Sequence, residues 1–191
     1  MLKKNEKYND IEIIDNGMNF EGIAKIDGIT TFIDNAITSE NVDVSIQKLT
    51  HSYAKAKINK INKKSEYRKL SKCNVYDKCG GCACQHIDYN YTLKLKYNIV
   101  KNCLDKMKVK YCELNNCVGM EDPYYYRNKV QYPVRYNSKT DKTILGFYMR
   151  GSHNIVQNDI CYIQDKIVDK MAKRCFDVLI NLKFKGYDET S

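Results

Sequence analysis

The segment that most constrains this chain is CNVYDKCGGCACQH, at residues 73–86. It places four cysteines and one histidine in 14 positions of a chain that has nine cysteines and three histidines. Cys73, Cys79 and Cys82 have the spacing C-x5-C-x2-C, and Gly80-Gly81 fills the short loop. Two thiolates three residues apart let one turn of backbone wrap a metal centre, and glycines permit unusual torsions and a close approach of amides to sulfur. The segment therefore predicts a bound metal or metal cluster.

The fourth ligand has two local candidates, Cys84 and His86, and one distant candidate, Cys161. A tetrahedral zinc site usually combines one C-x2-C pair with a second such pair or with two histidines spaced H-x3-5-H. This chain has one C-x2-C pair. An iron-sulfur cluster accepts three thiolates that are close in sequence together with a remote one. The spacing favours iron over zinc, and buried cysteines without a metal are the third interpretation.

The remaining composition predicts a cytoplasmic protein that does not enter a membrane. An odd number of cysteines argues against a disulfide framework. The N-terminus MLKKNEKYNDIEIIDNG lacks the apolar region of a signal peptide, and no window approaches the roughly 18 apolar residues of a membrane span.

Positive charge is concentrated after the first 54 residues. These 54 residues carry five Lys against nine Asp and Glu, a net charge of −4. Because the formal charge of the whole chain is +9, the remaining residues carry a net charge of +13. Residues 54–72 hold eight Lys and Arg against the single Glu66. This segment is either a solvated strand edge and linker or a surface that follows phosphates, where binding depends on salt because counterions are released.

The pattern of apolar residues predicts an α+β chain that begins with a small β-barrel. Residues 10–61 form short alternating segments, and Asn16-Gly17 and Asp27-Gly28 are dipeptides typical of hairpins. Helices are predicted over about 89–110, with Asp88 as N-cap, and over about 163–182. A hairpin is predicted within residues 125–149. Two apolar stripes are expected to face the core: Tyr89, Leu93, Val100, Leu104 and Met107 on the first helix, and Ile167, Met171, Phe176 and Leu179 on the second.

At this point the residues are specific enough to indicate a family. The cysteine segment and the following DYNYTLKLKYNIV resemble the iron-sulfur segment of the RNA (uracil-5-)-methyltransferases, which use S-adenosylmethionine (SAM) to make 5-methyluridine. The segments YRNKVQYPV and LGFYMRGSHNIV are similar to the central domain of that family. Residues 10–64 resemble its TRAM domain, an RNA-binding OB-like β-barrel.

The resemblance implies a domain division and a cofactor. We expect a TRAM-like barrel at residues 1–66 and, at 67–191, an incomplete α/β central domain organised by the cluster. In the ribosomal-RNA branch of the family, three cysteines with this spacing and one distant cysteine hold a [4Fe-4S] cluster. The implied ligands here are Cys73, Cys79, Cys82 and Cys161; Cys84 is then a spare thiol, and His86 satisfies a backbone carbonyl.

The resemblance also implies that the catalytic part is missing. The chain has no glycine-rich strand-to-helix loop for SAM, because its adjacent glycines lie in the cysteine segment. The family's SAM site, nucleophilic cysteine and general-base glutamate belong to a C-terminal domain, and KFKGYDETS resembles the middle of the central domain. We therefore expect no catalytic residue in this chain and no methyl transfer by it alone.

The expected partner is RNA, specifically 23S ribosomal RNA, bound by a monomer. The candidate RNA contacts are basic residues of the barrel edge and of the YRNK segment: Lys55, Lys57, Lys63, Lys64, Arg68, Arg127 and Lys129. An ion pair with Glu121 or Asp122 is the alternative role for Arg127. A free-standing RNA-binding module with a cluster or zinc is the alternative function, and a radical-SAM enzyme is disfavoured because it needs C-x3-C-x2-C.

Overall fold

A computed structural model describes residues 2–138 and 140–187 of the 191-residue chain. The chain divides into two compact units. The first unit comprises Met1–Leu70 and Ala83–Gly119, and the second comprises Ser71–Cys82 and Met120–Ser191. The units interleave along the sequence, and the predicted domain limits at residues 66 and 67 stay a prediction.

The first unit contains a six-stranded mixed sheet that curls into a half-barrel, with the strand order β1-β5-β6-β4-β3-β2. Its strands are β1 (Lys7–Glu12), β2 (Asp15–Asn16), β3 (Gly22–Ile26), β4 (Ile29–Asp34), β5 (Asn41–Leu49) and β6 (Tyr53–Lys63). The sheet is mixed because β4 and β6 run parallel, whereas every other pair is antiparallel. The curled sheet agrees with the predicted OB-like fold of this part of the chain.

Strand alternation places one apolar face of the sheet in a closed core. Ala54 and Ala56 of β6 are buried, whereas Lys55 and Lys57 between and after them are exposed. Successive side chains along a strand point to opposite faces of the sheet. The strand β6 therefore has one buried apolar face and one exposed basic face.

The two predicted hairpin dipeptides have different roles. Asp27 and Gly28 join β3 to β4 with φ values of 49° and 78°, as a type I′ turn requires. Asn16, in contrast, is only 6% exposed, and its amide donates to the carbonyls of Phe20 and Ala36. The predicted hairpin at Asn16 is present, because β2 pairs antiparallel with β3, but residues 17–21 form a longer loop in place of the two-residue turn.

Helix α1 (Tyr89–Lys106) begins as predicted, with the Asp88 side chain accepting a hydrogen bond from the Tyr91 N–H at 3.2 Å. The predicted core stripe is wrong in its C-terminal half, because Val100 and Met107 are 48% and 75% exposed. Leu95 is the buried apolar residue of the helix, packed in a cluster with Ile37 and Ile87. Only the first turns of α1 meet this cluster, so the rest of the stripe stays outside it.

The described residues of the second unit form two small sheets and one helix. The strand β7 (Val134–Asn137) pairs with β8 (Lys142–Leu145), as the predicted hairpin requires, and Lys139 of its turn lies outside the described residues. The strands β9 (Phe147–Tyr148) and β10 (Ile155–Val156) form the other pair. Among the described residues, no helix is both long enough and apolar enough to cross a membrane.

Helix α2 (Lys166–Asn181) forms where a helix is predicted, but its predicted core face is wrong. Ile167 and Met171 are 72% and 50% exposed, and no residue of the helix is buried. An amphipathic repeat identifies the apolar face of a helix but does not say what covers it. Within the described part of the chain, this face is largely open to solvent.

Candidate metal centre and nucleic-acid interface

The three clustered cysteines lie on a loop that is tied to the strand β9 and the residues after it. The Gly80 N–H donates to the Tyr148 carbonyl at 2.9 Å, and the Arg150 N–H donates to the Lys78 carbonyl at 2.9 Å. The Arg150 guanidinium also donates to the Cys82 carbonyl at 2.8 Å. These hydrogen bonds fix the loop from both of its sides within the second unit.

The two glycines of the loop serve close approach and not unusual torsion. Neither has a positive φ, since Gly28 and Gly151 are the described glycines with that conformation. The Gly81 N–H donates to Cys79 Sγ at 3.3 Å, and a Cβ on Gly80 would lie 3.2 Å from the Tyr148 carbonyl oxygen. The predicted contact of a loop amide with sulfur is therefore present, whereas the predicted unusual torsions are absent from these two residues.

The remote Cys161 lies near the loop thiols. Burial raises the pKa of the Cys79 thiol, and the charges of Cys73 and Cys161 raise it further. The hydrogen bond from Gly81 opposes these effects and lowers the pKa. The Asn158 amide, three residues before Cys161, donates to Cys73 Sγ at 3.7 Å. The segment that carries Cys161 thus contacts the cysteine loop within the second unit.

No group of three or more Cys, His, Asp or Glu among residues 2–138 and 140–187 has an arrangement that could hold a metal ion. None of these four described cysteines forms a disulfide, and Cys79 is the one that is buried. The ligand set therefore remains a prediction.

The two local alternatives for a fourth ligand, Cys84 and His86, belong to the first unit. Cys84 packs against the cluster of Ile37, Ile87 and Leu95, and burial raises the pKa of its thiol. His86 is 4% exposed. Their surroundings are those of core residues of the first unit.

The basic strand β6 presents its lysines on the solvent face of the sheet. Lys55 lies opposite Phe32 of β4 and Lys48 of β5. Phe32 makes an edge contact with Tyr53, with ring centroids 5.8 Å apart. This face thus combines exposed lysines with two half-buried aromatic rings, and Lys63 and Lys64 extend the positive charge beyond it.

Arg68 is occupied inside the first unit. Its guanidinium donates to both carboxylate oxygens of Glu40, one of them at 2.7 Å, and to the Asn35 carbonyl. Glu40 is fully buried, and 16% of the Arg68 side chain is exposed. The geometry therefore assigns Arg68 a structural ion pair, which corrects its prediction as an RNA contact.

Tyr67, beside Arg68, is also engaged within the first unit. Its ring lies parallel to that of Tyr91, with centroids 3.7 Å apart. One face of the phenol is therefore covered.

Arg127 and Lys129 line a cleft of about 380 Å³ in the second unit, together with Val130, Gln131, Phe147 and Gln164. The structure shows no ion pair of Arg127 with Glu121 or Asp122, all of which are described residues. The Arg127 backbone instead pairs with residues 163–165. Its side chain remains available to the cleft.

The chain is similar along its whole length to curated bacterial RNA methyltransferases. It is 39% identical over 193 aligned positions to an uncharacterized RNA methyltransferase of Clostridium acetobutylicum, matching 100% of this chain and 41% of that protein. It is also 39% identical to one of Clostridium tetani and 34% identical to one of Listeria innocua, over 98% and 99% of this chain. The chain is therefore similar to one part of these RNA methyltransferases.

The match concerns a part of the longer proteins. The chain spans about two fifths of the length of the curated relatives that it matches. No protein-family model matches it. Among solved structures, it resembles the Pyrococcus abyssi tRNA (uracil-54, C5)-methyltransferase in complex with S-adenosyl-L-homocysteine. That match has a TM-score of 0.61 and 18% identity, and it covers 91% of this chain and 37% of the other, which supports the fold.

Several residues at the candidate sites were not predicted from the sequence. Phe32 lies 23 positions from Lys55 in sequence, and only the parallel pairing of β4 with β6 places the two opposite each other. Arg150 and Asn158 contact the cysteine loop from far along the chain. The remote-ligand segment RGSHNIVQNDIC contains both residues, but nothing in its letters indicates which side chain reaches the loop.

Proposed function

We propose that this chain is the RNA-binding and cluster-holding portion of a SAM-dependent 23S rRNA (uracil-5-)-methyltransferase that makes 5-methyluridine. The observation that carries the proposal is the match of the whole chain to proteins named RNA methyltransferases. The choice of uracil C5 is supported by the sequence motifs and agrees with the fold of the archaeal tRNA enzyme. The choice of ribosomal RNA depends on the cysteine spacing alone.

The proposed reaction explains why an RNA-holding surface is needed. A cysteine thiolate adds to C6 of uracil, C5 then attacks the methyl group of SAM, and a carboxylate removes the C5 proton so that the thiolate can leave. A base inside a stack is out of reach of these groups, so the target nucleotide has to be flipped out. This chain would hold the surrounding RNA, while the catalytic residues and SAM belong to the part of the family's proteins outside the match.

The cluster proposal assigns Cys73, Cys79, Cys82 and Cys161 to a [4Fe-4S] centre. Four thiols and amide donors aimed at two of the sulfurs form a donor set that suits iron-sulfur ligation. A single zinc would need thiolates about 3.8 Å apart, as Zn–S bonds of about 2.3 Å in a tetrahedron require. In a cluster each thiolate binds a different iron, so the thiolates stand farther apart.

The proposed role of the cluster is structural. Methyl transfer to C5 moves no net electrons through the protein, so the reaction does not require a redox centre. A crosslink between Cys82 and Cys161 closes a loop of about 80 residues. In the chain-entropy model such a closure stabilises the fold by about 4 kcal/mol. A redox-sensing role is the alternative for the same ligands.

The proposed RNA surface of the first unit is the solvent face of β6. Lys55 and Lys57 would follow phosphates, with Lys63 and Lys64 beyond them, and Tyr53 and Phe32 offer rings on which bases stack. Arg127 and Lys129 are the proposed contacts of the second unit. The alternative function is an RNA-binding module that works without a methyltransferase domain. Such a module would use the same surfaces and would hold either an iron-sulfur cluster or zinc.

Fluorescence anisotropy with a labelled ribosomal RNA hairpin tests the RNA proposal. Each phosphate contact contributes to the salt dependence, so affinity should fall steeply between 50 and 200 mM KCl. The pair Lys55→Glu and Lys57→Glu should weaken binding about tenfold or more and flatten that dependence. Lys94→Glu reverses a charge at an exposed position of α1 and is the matched control variant. Equal affinities for all three proteins would contradict the assignment of β6, and a longer genomic frame with a glycine-rich motif would favour the enzyme over the free-standing module.

A further inference from the structure

Gln164 is a buried side chain whose polar atoms are left without partners. It is 1% exposed, and neither its Oε1 nor its Nε2 has a hydrogen-bond partner among the described residues. Burying an amide without a hydrogen bond destabilises a fold, and native proteins carry few such groups. An orphaned amide of this kind indicates a position that a ligand or water completes.

The backbone fixes Gln164 next to Arg127. The Arg127 N–H donates to the Ile163 carbonyl at 2.8 Å, and the Asp165 N–H donates to the Arg127 carbonyl at 2.9 Å. Asp165 in turn caps α2 by accepting from the Ile167 N–H at 2.8 Å. The backbone of Gln164 is therefore held by an isolated parallel bridge to Arg127, directly before the N-cap of α2.

The orphaned amide lines the cleft that also contains Arg127 and Lys129. Its volume of about 380 Å³ falls within the range of about 300–1,000 Å³ that small-molecule sites occupy. Phe147 forms another part of the lining, and its ring is held by Tyr132 with centroids 4.7 Å apart. The cleft thus brings together an amide, an aromatic ring and two cations.

This combination matches one nucleotide of single-stranded RNA. An amide offers a donor beside an acceptor, the pattern that pairs with the edge of a nucleobase. An aromatic ring stacks on the base, and cations attract the adjoining phosphate. A bare phosphate or a sulfate would use the cations but would leave the amide oxygen without a donor.

We propose that this cleft binds one unstacked base of the RNA, with the Gln164 amide hydrogen-bonded to the base edge and Phe147 stacked on the base. Arg127 and Lys129 hold the phosphate next to it. The inference rests on the proposed RNA binding and adds a base-reading site in the second unit, separate from the phosphate-following face of β6.

The test compares Gln164→Leu with the unaltered chain in two measurements. Labelled oligouridine, oligoadenosine and an abasic ribose-phosphate oligomer of equal length are titrated by fluorescence anisotropy, and thermal unfolding is followed by circular dichroism. Loss of a two-point base contact should weaken binding of at least one base-bearing oligomer about tenfold. The abasic oligomer should bind equally well to both proteins, and removal of the orphaned amide should raise the Tm of the variant. Gln157→Leu, at an exposed glutamine of the same unit, is the matched control and should change neither measurement.

Phe147→Leu supplies a second variant that keeps the lining apolar while removing the stacking ring. It should weaken the same base-bearing oligomer and spare the abasic one. The inference is overturned if Gln164→Leu binds every oligomer as the unaltered chain does, since water or packing then explains the amide. If the unaltered chain binds no RNA at all, the proposed function fails together with this site; if it binds all three oligomers equally, the function survives and the site does not.

Discussion

The replacement of Arg68 by methionine should destabilise the first unit severely. Glu40 is fully buried, and besides Arg68 it accepts hydrogen bonds from the Ile37 N–H at 2.9 Å and the Ser65 N–H at 3.3 Å. Removing the guanidinium leaves a buried carboxylate without its counter-charge. Breaking a buried pair in this way costs about 3–5 kcal/mol. In a chain of this size each kcal/mol shifts Tm by about 2–4 °C, so the expected decrease is about 6–20 °C.

Urea and thermal unfolding of three variants separate the ion pair from loss of packing. Adding Glu40→Gln to Arg68→Met removes the buried charge, so the double variant should be more stable than Arg68→Met alone. Arg174→Met, at an exposed position of α2, should leave unfolding unchanged. An Arg68→Met protein with an unaltered urea midpoint but weaker RNA binding would refute the structural role and restore Arg68 as an RNA contact.

Two further changes test the structure in each unit. Gly146→Ala should destabilise the second unit by about 1–3 kcal/mol, because the added Cβ would lie 2.2 Å from the Val156 carbonyl oxygen; an unchanged urea midpoint would show that β9 and β10 do not pair as described. Asp88→Ala should destabilise α1 by about 1 kcal/mol through loss of its N-cap. The Lys69 ammonium and the helix N–H groups lower the pKa of Asp88. The difference in free energy of unfolding between the unaltered chain and Asp88→Ala should therefore be complete above pH 3.8, and it should vanish as the pH falls through the lowered pKa. A difference that persists in acid would contradict the cap.

The sequence was informative wherever local chemistry determines structure. The alternation of Ala and Lys in β6, the Asp27-Gly28 turn and the Asp88 cap each depend on a few neighbouring residues. The same reasoning failed where a distant partner decides. Asn16-Gly17 predicts a two-residue turn, but residues 17–21 form a longer loop between β2 and β3, and the buried amide of Asn16 donates to the Ala36 carbonyl. Val100 and Ile167 follow the helical repeat, yet no element covers them within the described residues.

The candidate site divides in the same way. Residue type and spacing predicted the cysteines and the basic strand, because sulfur ligation and phosphate binding require particular side chains. The ion pair of Arg68 with Glu40 and the orphaned amide of Gln164 depend on burial, which the sequence does not reveal. Arg68 and Lys63 look alike as letters in a basic segment, and only the fold separates a structural cation from an exposed one.

Iron and acid-labile sulfide analysis of the anaerobically purified chain tests the central claim most directly. The proposal predicts about four irons and four sulfides per chain. The protein should be brown, with a broad absorbance at about 400 nm. Cys161→Ser should lose most of the iron and the colour, whereas Cys84→Ser should keep both. A colourless protein with one zinc, or a Cys161→Ser variant that retains all its iron, would contradict the assignment of the remote thiol to the cluster.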